Sequence, residues 1–527
     1  MIKVLVSDPL SPEGIKILES EKDIKVDSKT KLTPDQLKQE IKNYDALIVR
    51  SATKVTKDVI EAADKLRVIG RAGVGLDNVD VEAASKKGII VLNAPAGNTI
   101  STAEHTMAMM LSLSRNIPKA DRSIKNGEWD RKRFMGVELY GKTLGIVGMG
   151  RIGTEVAKRA LSFQMKVLAY DPFLSADKAK QIGIELTDLQ GILKSSDYIT
   201  VHTPMTAETK GMISDEQFKQ MKNGVRLINC ARGGIIDEKA LTKAIEMGKV
   251  AGAALDVFVS EPPKDFTLAK MDNVVATPHL GASTEEAQVN VSIDIAEIVL
   301  DVLLNRCIRN AVNLPCVDKE LLKTLQPYIS LAEKLGSLSA QLAEGHTKEV
   351  KIKYVGDIVN YDTSGLTIAV LKGMLTPILQ ETVNFVNAPM IARERGIKIS
   401  ESKTSEIENF ANLISVEVET DKGKLSVDGT LFTKTEPRIV KIGNFYVEAV
   451  PSGYMLVISN KDVPGIIGQI GMLMGRNKIN IAGMSFGREK EGGKAVSVLN
   501  VDSVVPKEVL EQIKKAENIY DIKLVKL

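Results

Sequence analysis

Gly145-Ile146-Val147-Gly148-Met149-Gly150-Arg151-Ile152-Gly153 holds three glycines at the spacing of a phosphate-binding turn. An apolar run that reads as a buried strand leads into it, and a helix-like run, 154–161, follows. A second apolar run, 167–170, ends on Asp171. A dinucleotide pocket needs strand, glycine turn, helix, strand and acid in that order. Gly148 permits the tight turn, Gly150 lets the backbone approach a pyrophosphate, and Gly153 lets helix and strand pack closely. The diphosphate would sit at the positive end of the helix, where Arg151 and Ile152 begin it. The Asp171 carboxylate can accept both ribose hydroxyls and would repel a 2′-phosphate, so NAD is expected rather than NADP.

Outward from this turn the chain alternates short apolar runs with helix-forming stretches. Runs at 3–6, 46–49, 68–70 and 89–92 make one series. Runs at 143–147, 167–170, 198–201, 227–229, 251–255 and 274–276 make a second, which carries the glycine turn. Two α/β units with parallel sheets are expected. Segment 284–304 is amphipathic, and Ser283 with Glu286 reads as its capping box. It can return the chain to the first unit. After a linker at 310–315 the texture changes. Helices are expected at 328–344 and 366–379, and strands at 350–355, 413–419, 424–431 and 446–450. The tail reads as β-α-β-β-α-β, at 454–459, 465–474, 479–487, 494–501, 507–514 and 519–525. The turn Asp462-Val463-Pro464-Gly465 opens its first helix.

A chain of 527 residues is too long for one core, so three or four domains are expected. Net charge is only +3, which leaves no nucleic-acid footprint. The three cysteines, Cys230, Cys307 and Cys316, are too few and too scattered for a disulfide framework or a metal site. They point to a reducing cytoplasm. The N-terminus reads as a strand rather than a signal peptide, and no apolar run is long enough to cross a bilayer. A soluble cytoplasmic protein with no membrane partner is the expectation.

With NAD as cofactor the chain needs a proton acceptor, an anion clamp and an orienting acid. There are four histidines. His279 ends an apparent strand in Ala276-Thr277-Pro278-His279-Leu280-Gly281-Ala282, where ligands of open α/β sheets collect. His202 ends another, in Val201-His202-Thr203-Pro204, and spacing alone separates the two only weakly. His105 lies in an apolar helical stretch and His346 in a polar linker. Arg232 follows Asn229-Cys230-Ala231 and precedes two glycines, where a guanidinium can grip a carboxylate through two hydrogen bonds. Glu261, in Ser260-Glu261-Pro262-Pro263, follows the strand that ends at Asp256. A carboxylate beside a histidine raises its proton affinity and fixes its tautomer.

These motifs together resemble the D-isomer-specific 2-hydroxyacid dehydrogenases. The segments Leu255-Asp256-Val257-Phe258, Gly70-Arg71-Ala72-Gly73-Val74-Gly75-Leu76-Asp77-Asn78-Val79-Asp80 and Arg131-Lys132-Arg133-Phe134-Met135-Gly136 are similar to the family's long, phosphorylated-substrate subgroup. The resemblance spans the whole chain. It implies two Rossmann-like, doubly wound lobes, then an α+β intervening, anion-binding domain and a ferredoxin-like βαββαβ ACT domain. The expected bounds are 1–97 with 284–312 for the substrate-binding lobe, 98–283 for the NAD-binding domain, 315–450 for the intervening domain and 453–527 for the ACT domain.

The resemblance also implies NAD-dependent oxidation of D-3-phosphoglycerate to 3-phosphohydroxypyruvate, the first step of phosphorylated L-serine biosynthesis. Arg232, Glu261 and His279 would be the catalytic set. Contacts to NAD would come from Gly148, Gly150, Arg151, Ile152, Gly153, Asp171, Thr203, Cys230, Ala231, Arg232, Asp256, His279, Leu280, Gly281 and Ala282. The substrate would meet Arg50, Ser51, Arg71, Gly73, Val74 and Gly75. Arg131 would join them from a neighbouring subunit. Val74 stands where relatives often place threonine, so a side-chain hydroxyl is lost there. L-serine would act as effector at Asp462 and Asn480, between paired ACT modules of a homotetramer. Asn460 departs from the tyrosine of some relatives. Two other functions compete: an NAD-binding scaffold that recruits proteins, which the intact catalytic set disfavours, and a hydroxypyruvate or glyoxylate reductase, which the tail and the three arginines disfavour.

Overall fold

The architecture comes from a computed structural model that describes residues 1–314, 319–377, 379, 383–406 and 409–527. Cys316 lies outside the described residues. Strands β1 (Ile2–Val6), β2 (Ile24–Ser28), β3 (Ala46–Val49), β4 (Val68–Arg71) and β5 (Ile90–Asn93) form a parallel sheet in the order β2-β1-β3-β4-β5. Seven further strands make a second parallel sheet: β6 (Thr143–Val147), β7 (Lys166–Tyr170), β8 (Glu185–Leu186), β9 (Tyr198–Val201), β10 (Val225–Asn229), β11 (Val250–Leu255) and β12 (Val274–Ala276). Their order is β12-β11-β10-β9-β6-β7-β8. Strands such as Ala46–Val49 and Tyr198–Val201 are buried at every residue, because helices cover both faces. Strand order reverses between β1 and β3 in one sheet and between β6 and β9 in the other. Ligands of doubly wound sheets collect at the carboxyl ends around such points.

Two long helices cross between the units. Helix Thr99–Arg115 leads into the second sheet, where Ala103, Met107 and Met110 pack with Ile146 and Val156. Helix Glu285–Leu303 returns, and its Val291, Ile295 and Val299 pack against Val4, Val6 and Ile48 of the first sheet. The start of that helix departs from expectation by one residue. Thr284, not Ser283, is its N-cap, with the hydroxyl accepting from the Ala287 amide at 3.2 Å.

The third sheet joins β13 (Thr347–Gly356), β14 (Lys398–Thr404), β15 (Asn412–Thr420), β16 (Lys424–Leu431), β17 (Pro437–Ile442) and β18 (Phe445–Ala449), in the order β14-β13-β15-β16-β17-β18. Strands β14 and β17 have no counterpart among the expected strands. Helices Lys319–Leu342 and Ser364–Leu375 share its core and pack closely on each other: Gly336 and Gly373 face the Val370 and Glu333 carbonyls, which leave no space for a Cβ. The last sheet holds β19 (Tyr454–Lys461), β20 (Ile481–Arg488), β21 (Lys494–Val501) and β22 (Ile519–Lys526), antiparallel in the order β20-β21-β19-β22. Helices Ile466–Arg476 and Lys507–Lys514 bury Leu456, Ile458 and Leu499. The opposite face, with Met455, Val457, Val496 and Val498, joins the core of the third sheet. Among the described residues, no helix is long and apolar enough to cross a membrane.

Candidate active site

Every candidate catalytic residue stands just beyond the carboxyl end of a strand of the second sheet. Asn229 ends β10, and its side chain shapes the turn after it: Oδ1 accepts from the Ala231 amide at 3.0 Å and Nδ2 donates to the Arg232 carbonyl at 2.8 Å. This carries Arg232 across the cleft, where its Nε donates to Asp77 Oδ2 of the first unit at 3.1 Å. Gly233 is required, since a Cβ there would fall 2.0 Å from the Phe258 backbone.

His279 follows β12 with φ of 55°, in the left-handed region. Its Nδ1 lies 2.7 Å from Glu261 Oε2, while Glu261 Oε1 accepts from the Phe258 amide at 3.2 Å. The hydrogen bond and charge of Glu261 lift the His279 pKa above the ordinary value, against burial and the positive Arg232. Burial raises the Glu261 pKa, but its bond to His279 outweighs this and leaves it below the ordinary value. With Nδ1 facing Glu261, Nε2 is the nitrogen left for a substrate. A cavity of about 510 Å³ flanks the pair, walled by Phe258, Pro262, Phe266 and Pro278.

The geometry separates the two histidines that spacing could not. His202 has no carboxylate beside it. Its Nε2 meets Thr200 Oγ1 at 3.0 Å, and burial depresses its pKa to about 4. It is a neutral part of the wall under the Gly148 turn, where a Cβ on Gly148 would lie 2.8 Å from the His202 carbonyl oxygen.

The expected phosphate-binding arginines divide. Arg71 ends β4 and Arg50 follows the neighbouring β3; Arg71 feels the charges of both Arg232 and Arg50. Burial first, then the nearby charges of Arg232 and Arg50, depress the Arg71 pKa to about 10. Its Nε is buried with no protein partner. Arg50 is fixed by its backbone, whose amide donates to Asp8 Oδ2 at 2.6 Å and whose carbonyl accepts from Asn78 Nδ2 at 2.6 Å. Ser51 follows it, exposed. The loop of Gly73, Val74 and Gly75 runs between these guanidiniums: a Cβ on Gly73 would meet Arg71 at 1.6 Å, and one on Gly75 would meet Arg232 at 1.9 Å. Arg71, with Arg232 and Arg50 near it and a glycine loop alongside, has the charge an anion would need.

Arg131 does not join them within the chain. Its segment docks toward the amino ends of the second sheet's strands, where the Val137 amide donates to the Ser114 carbonyl at 3.0 Å. Ser114 Oγ in turn lies 2.8 Å from the hydroxyl of Tyr198, the first residue of β9.

The glycine turn is built to receive NAD. Gly148 has φ of 96°, Gly150 has open space where a Cβ would stand, and a Cβ on Gly153 would meet the Gly148 carbonyl oxygen at 2.1 Å. Helix Arg151–Ser162 begins there with no side-chain cap. The Asp171 carboxylate stands against the turn and accepts from the Met149 amide at 2.7 Å. Thr203 Oγ1 is buried without a protein partner. Two of the expected contacts have side chains turned into the protein. The Asp256 carboxylate is wholly engaged within the protein, by Thr277 Oγ1 and by the amides of Leu280 and Gly281. The Cys230 thiol is buried, which pushes its pKa up to about 12, so only its backbone can face a ligand.

The effector candidates sit apart. Asp462 pairs with Arg488 at 3.1 Å and Asn480 donates to Asp502 at 2.7 Å. These pairs mark opposite ends of β20, whose eight residues extend roughly 26 Å. Asn460 is buried and its amide serves Ser497 and the Lys461 carbonyl.

Residues 107–281 match the family described as D-isomer specific 2-hydroxyacid dehydrogenase, NAD binding domain. Residues 324–443 match the D-3-phosphoglycerate dehydrogenase intervening domain, and 454–518 match the ACT domain. The D-3-phosphoglycerate dehydrogenase of Methanocaldococcus jannaschii is 48% identical over 100% of both chains, and that of Bacillus subtilis is 46% identical with the same coverage. Among solved structures, the D-lactate dehydrogenase of Aquifex aeolicus, complexed with NAD and lactic acid, aligns with TM-score 0.53 and 32% identity. It covers 59% of this chain and 99% of its own. With full-length relatives, both accessory domains and a glycine turn built for NAD, the chain belongs to the D-3-phosphoglycerate dehydrogenases, NAD-dependent oxidoreductases of the D-isomer-specific 2-hydroxyacid dehydrogenase family.

Proposed function

We propose that this chain oxidises the C2 hydroxyl of D-3-phosphoglycerate with NAD, giving 3-phosphohydroxypyruvate, the opening step of phosphorylated L-serine synthesis. The observation that carries the reading is the 2.7 Å His279–Glu261 pair beside Arg232, with Arg50 and Arg71 behind it. NAD, when bound, supplies the acceptor for the C2 hydrogen and its electron pair. His279 Nε2 takes the hydroxyl proton, and Glu261 stabilises the imidazolium that results. The substrate carboxylate displaces Asp77 from Arg232 and takes its bidentate bonds. Arg71 and Arg50 take the phosphate, joined by Arg131 of a neighbouring subunit.

The half-buried Arg71, whose Nε is shielded from solvent, favours this reading over a reductase for unphosphorylated acids. The test is NADH formation with 3-phosphoglycerate and with D-glycerate. The phosphorylated acid should be preferred on the order of 10²-fold in kcat/KM, the worth of a desolvated charge pair. Equal efficiency would remove the phosphate assignment, and no NADH from either acid would remove the reading itself. The ACT module gives the site for feedback by L-serine, held between two copies in a homotetramer. Cytoplasmic residence fits a sequence with only three scattered cysteines.

A further inference from the structure

We propose that His105, on helix Thr99–Arg115, is a positioning residue that holds the His279 loop in its catalytic shape through the buried Asp256. This rests on the catalytic reading of His279. Asp256 follows β11 and is fully buried. Its Oδ1 accepts from Thr277 Oγ1 at 2.6 Å and the Leu280 amide at 2.7 Å, and its Oδ2 accepts from the Gly281 amide at 2.9 Å. Its own carbonyl accepts from the His279 amide at 2.9 Å. One residue therefore ties three successive amides of the loop.

His105 completes this knot from outside the loop. Its Nε2 lies 3.2 Å from Asp256 Oδ1 and 3.3 Å from Thr277 Oγ1. The Thr277 hydroxyl already donates to Asp256, so its lone pairs are open to the same imidazole N–H. A proton on Nε2 then serves both oxygens. Ser101 and Thr102, one helical turn away, donate to the Gly281 carbonyl at 2.9 and 3.1 Å. The same helix face thus fastens the loop twice.

The loop needs fastening. His279 is a non-glycine residue with φ of 55°, a conformation that persists only where surrounding bonds impose it. Burial drives the Asp256 pKa up, and the bonds from His105, Thr277 and Leu280 overcome this and bring it below the ordinary value. Without His105 the buried carboxylate loses a donor, and its grip on the Leu280 and Gly281 amides weakens.

The test uses the full chain and its H105L, H105Q and T277V variants. With four histidines in the sequence, each imidazole Cε1–H can be followed by NMR against pH without any turnover. The charged groups bearing on His279 are Glu261, Asp256 and Arg232. If the loop relaxes, Glu261 loses its hold and the His279 midpoint falls toward the ordinary value. In H105L the midpoint should fall and kcat should drop at least tenfold, with thermal stability kept. T277V should move both readouts the same way, and H105Q, which restores an N–H, should recover most of each. An unchanged His279 midpoint and kcat in H105L would overturn the proposal. So would equal loss in H105L and H105Q together with a lowered melting temperature, which is the mark of packing alone. Failure of the unaltered enzyme to make NADH would strike the catalytic reading and leave the NMR comparison standing.

Discussion

Glu261 and His279 make the clearest case at the scale of single residues. The imidazole must be neutral to accept a proton, so kcat/KM should rise with pH through the His279 pKa. Glu261 raises that pKa. Removing its charge in E261Q lowers the pKa, so the rising limb moves to lower pH. The same change leaves the imidazolium without its counter-charge, so the plateau kcat should drop on the order of 10²-fold. A pH series of initial rates reads both effects, and a limb that stays in place refutes the electrostatic role. The sequence disclosed much of this site. Strand-end positions marked Arg232 and His279, with glycines beside Arg232, while Glu261 joined them through the family resemblance. Spacing could not tell His279 from His202, because both end strands. The distinction lies in a contact 18 residues apart in the chain, between His279 and Glu261. Nor could it foresee Asp256 turning inward, since the donors that engage it come from a loop whose path is set by tertiary structure.

Elements were most legible where one local signal dominated. Most parallel strands announced themselves as short apolar runs, but β2, which alternates apolar and polar residues at the sheet edge, and the two-residue β8 did not. Strand β14 did not: Lys398–Thr404 is an edge strand with mostly polar residues and little buried surface. Strand β17 begins on Pro437, which reads as a turn. Two glycines test how turns and loops position the chemistry. At Gly153 a Cβ would press on the Gly148 carbonyl oxygen, which is backbone and cannot yield cheaply. G153A should lower stability by about 1–3 kcal/mol and weaken NAD binding with it. At Gly75 the obstacle is the tip of the Arg232 side chain, which can swing aside. G75A should therefore keep its melting temperature and raise KM for 3-phosphoglycerate several-fold, because Arg232 no longer points where the carboxylate lands. Thermal unfolding by circular dichroism, paired with kinetics, separates the two. Equal destabilisation of both variants would contradict the distinction.

Over the whole molecule, the tail and the intervening sheet act as one body. Strand β19 alternates Met455 and Val457 toward the intervening core with Leu456 and Ile458 toward its own helices. The sequence marked this run as a strand. What covers it was not legible, because the partner surface is remote in sequence. Lys523 donates to the Leu342 carbonyl at 2.7 Å and reinforces the joint. An effector that reorients the ACT module therefore moves the intervening domain too. That domain touches the first parallel-sheet unit where Asn384 donates to the Gly88 carbonyl at 2.8 Å. Within one chain Asp462 and Asn480 mark opposite ends of a strand, so a serine that uses both must bridge two copies. In an isologous pair each of two sites takes Asp462 from one chain and Asn480 from the other. D462A and N480A should each abolish the heat of serine binding. Co-expressed in equal amounts, they should restore about one quarter of the sites, because half the pairs are mixed and each mixed pair keeps one intact site. Inhibition should return in proportion, with a coupling of roughly 1–3 kcal/mol between effector and substrate. Titration calorimetry on the mixed protein decides it: no recovered heat means that the two residues do not share a site across copies.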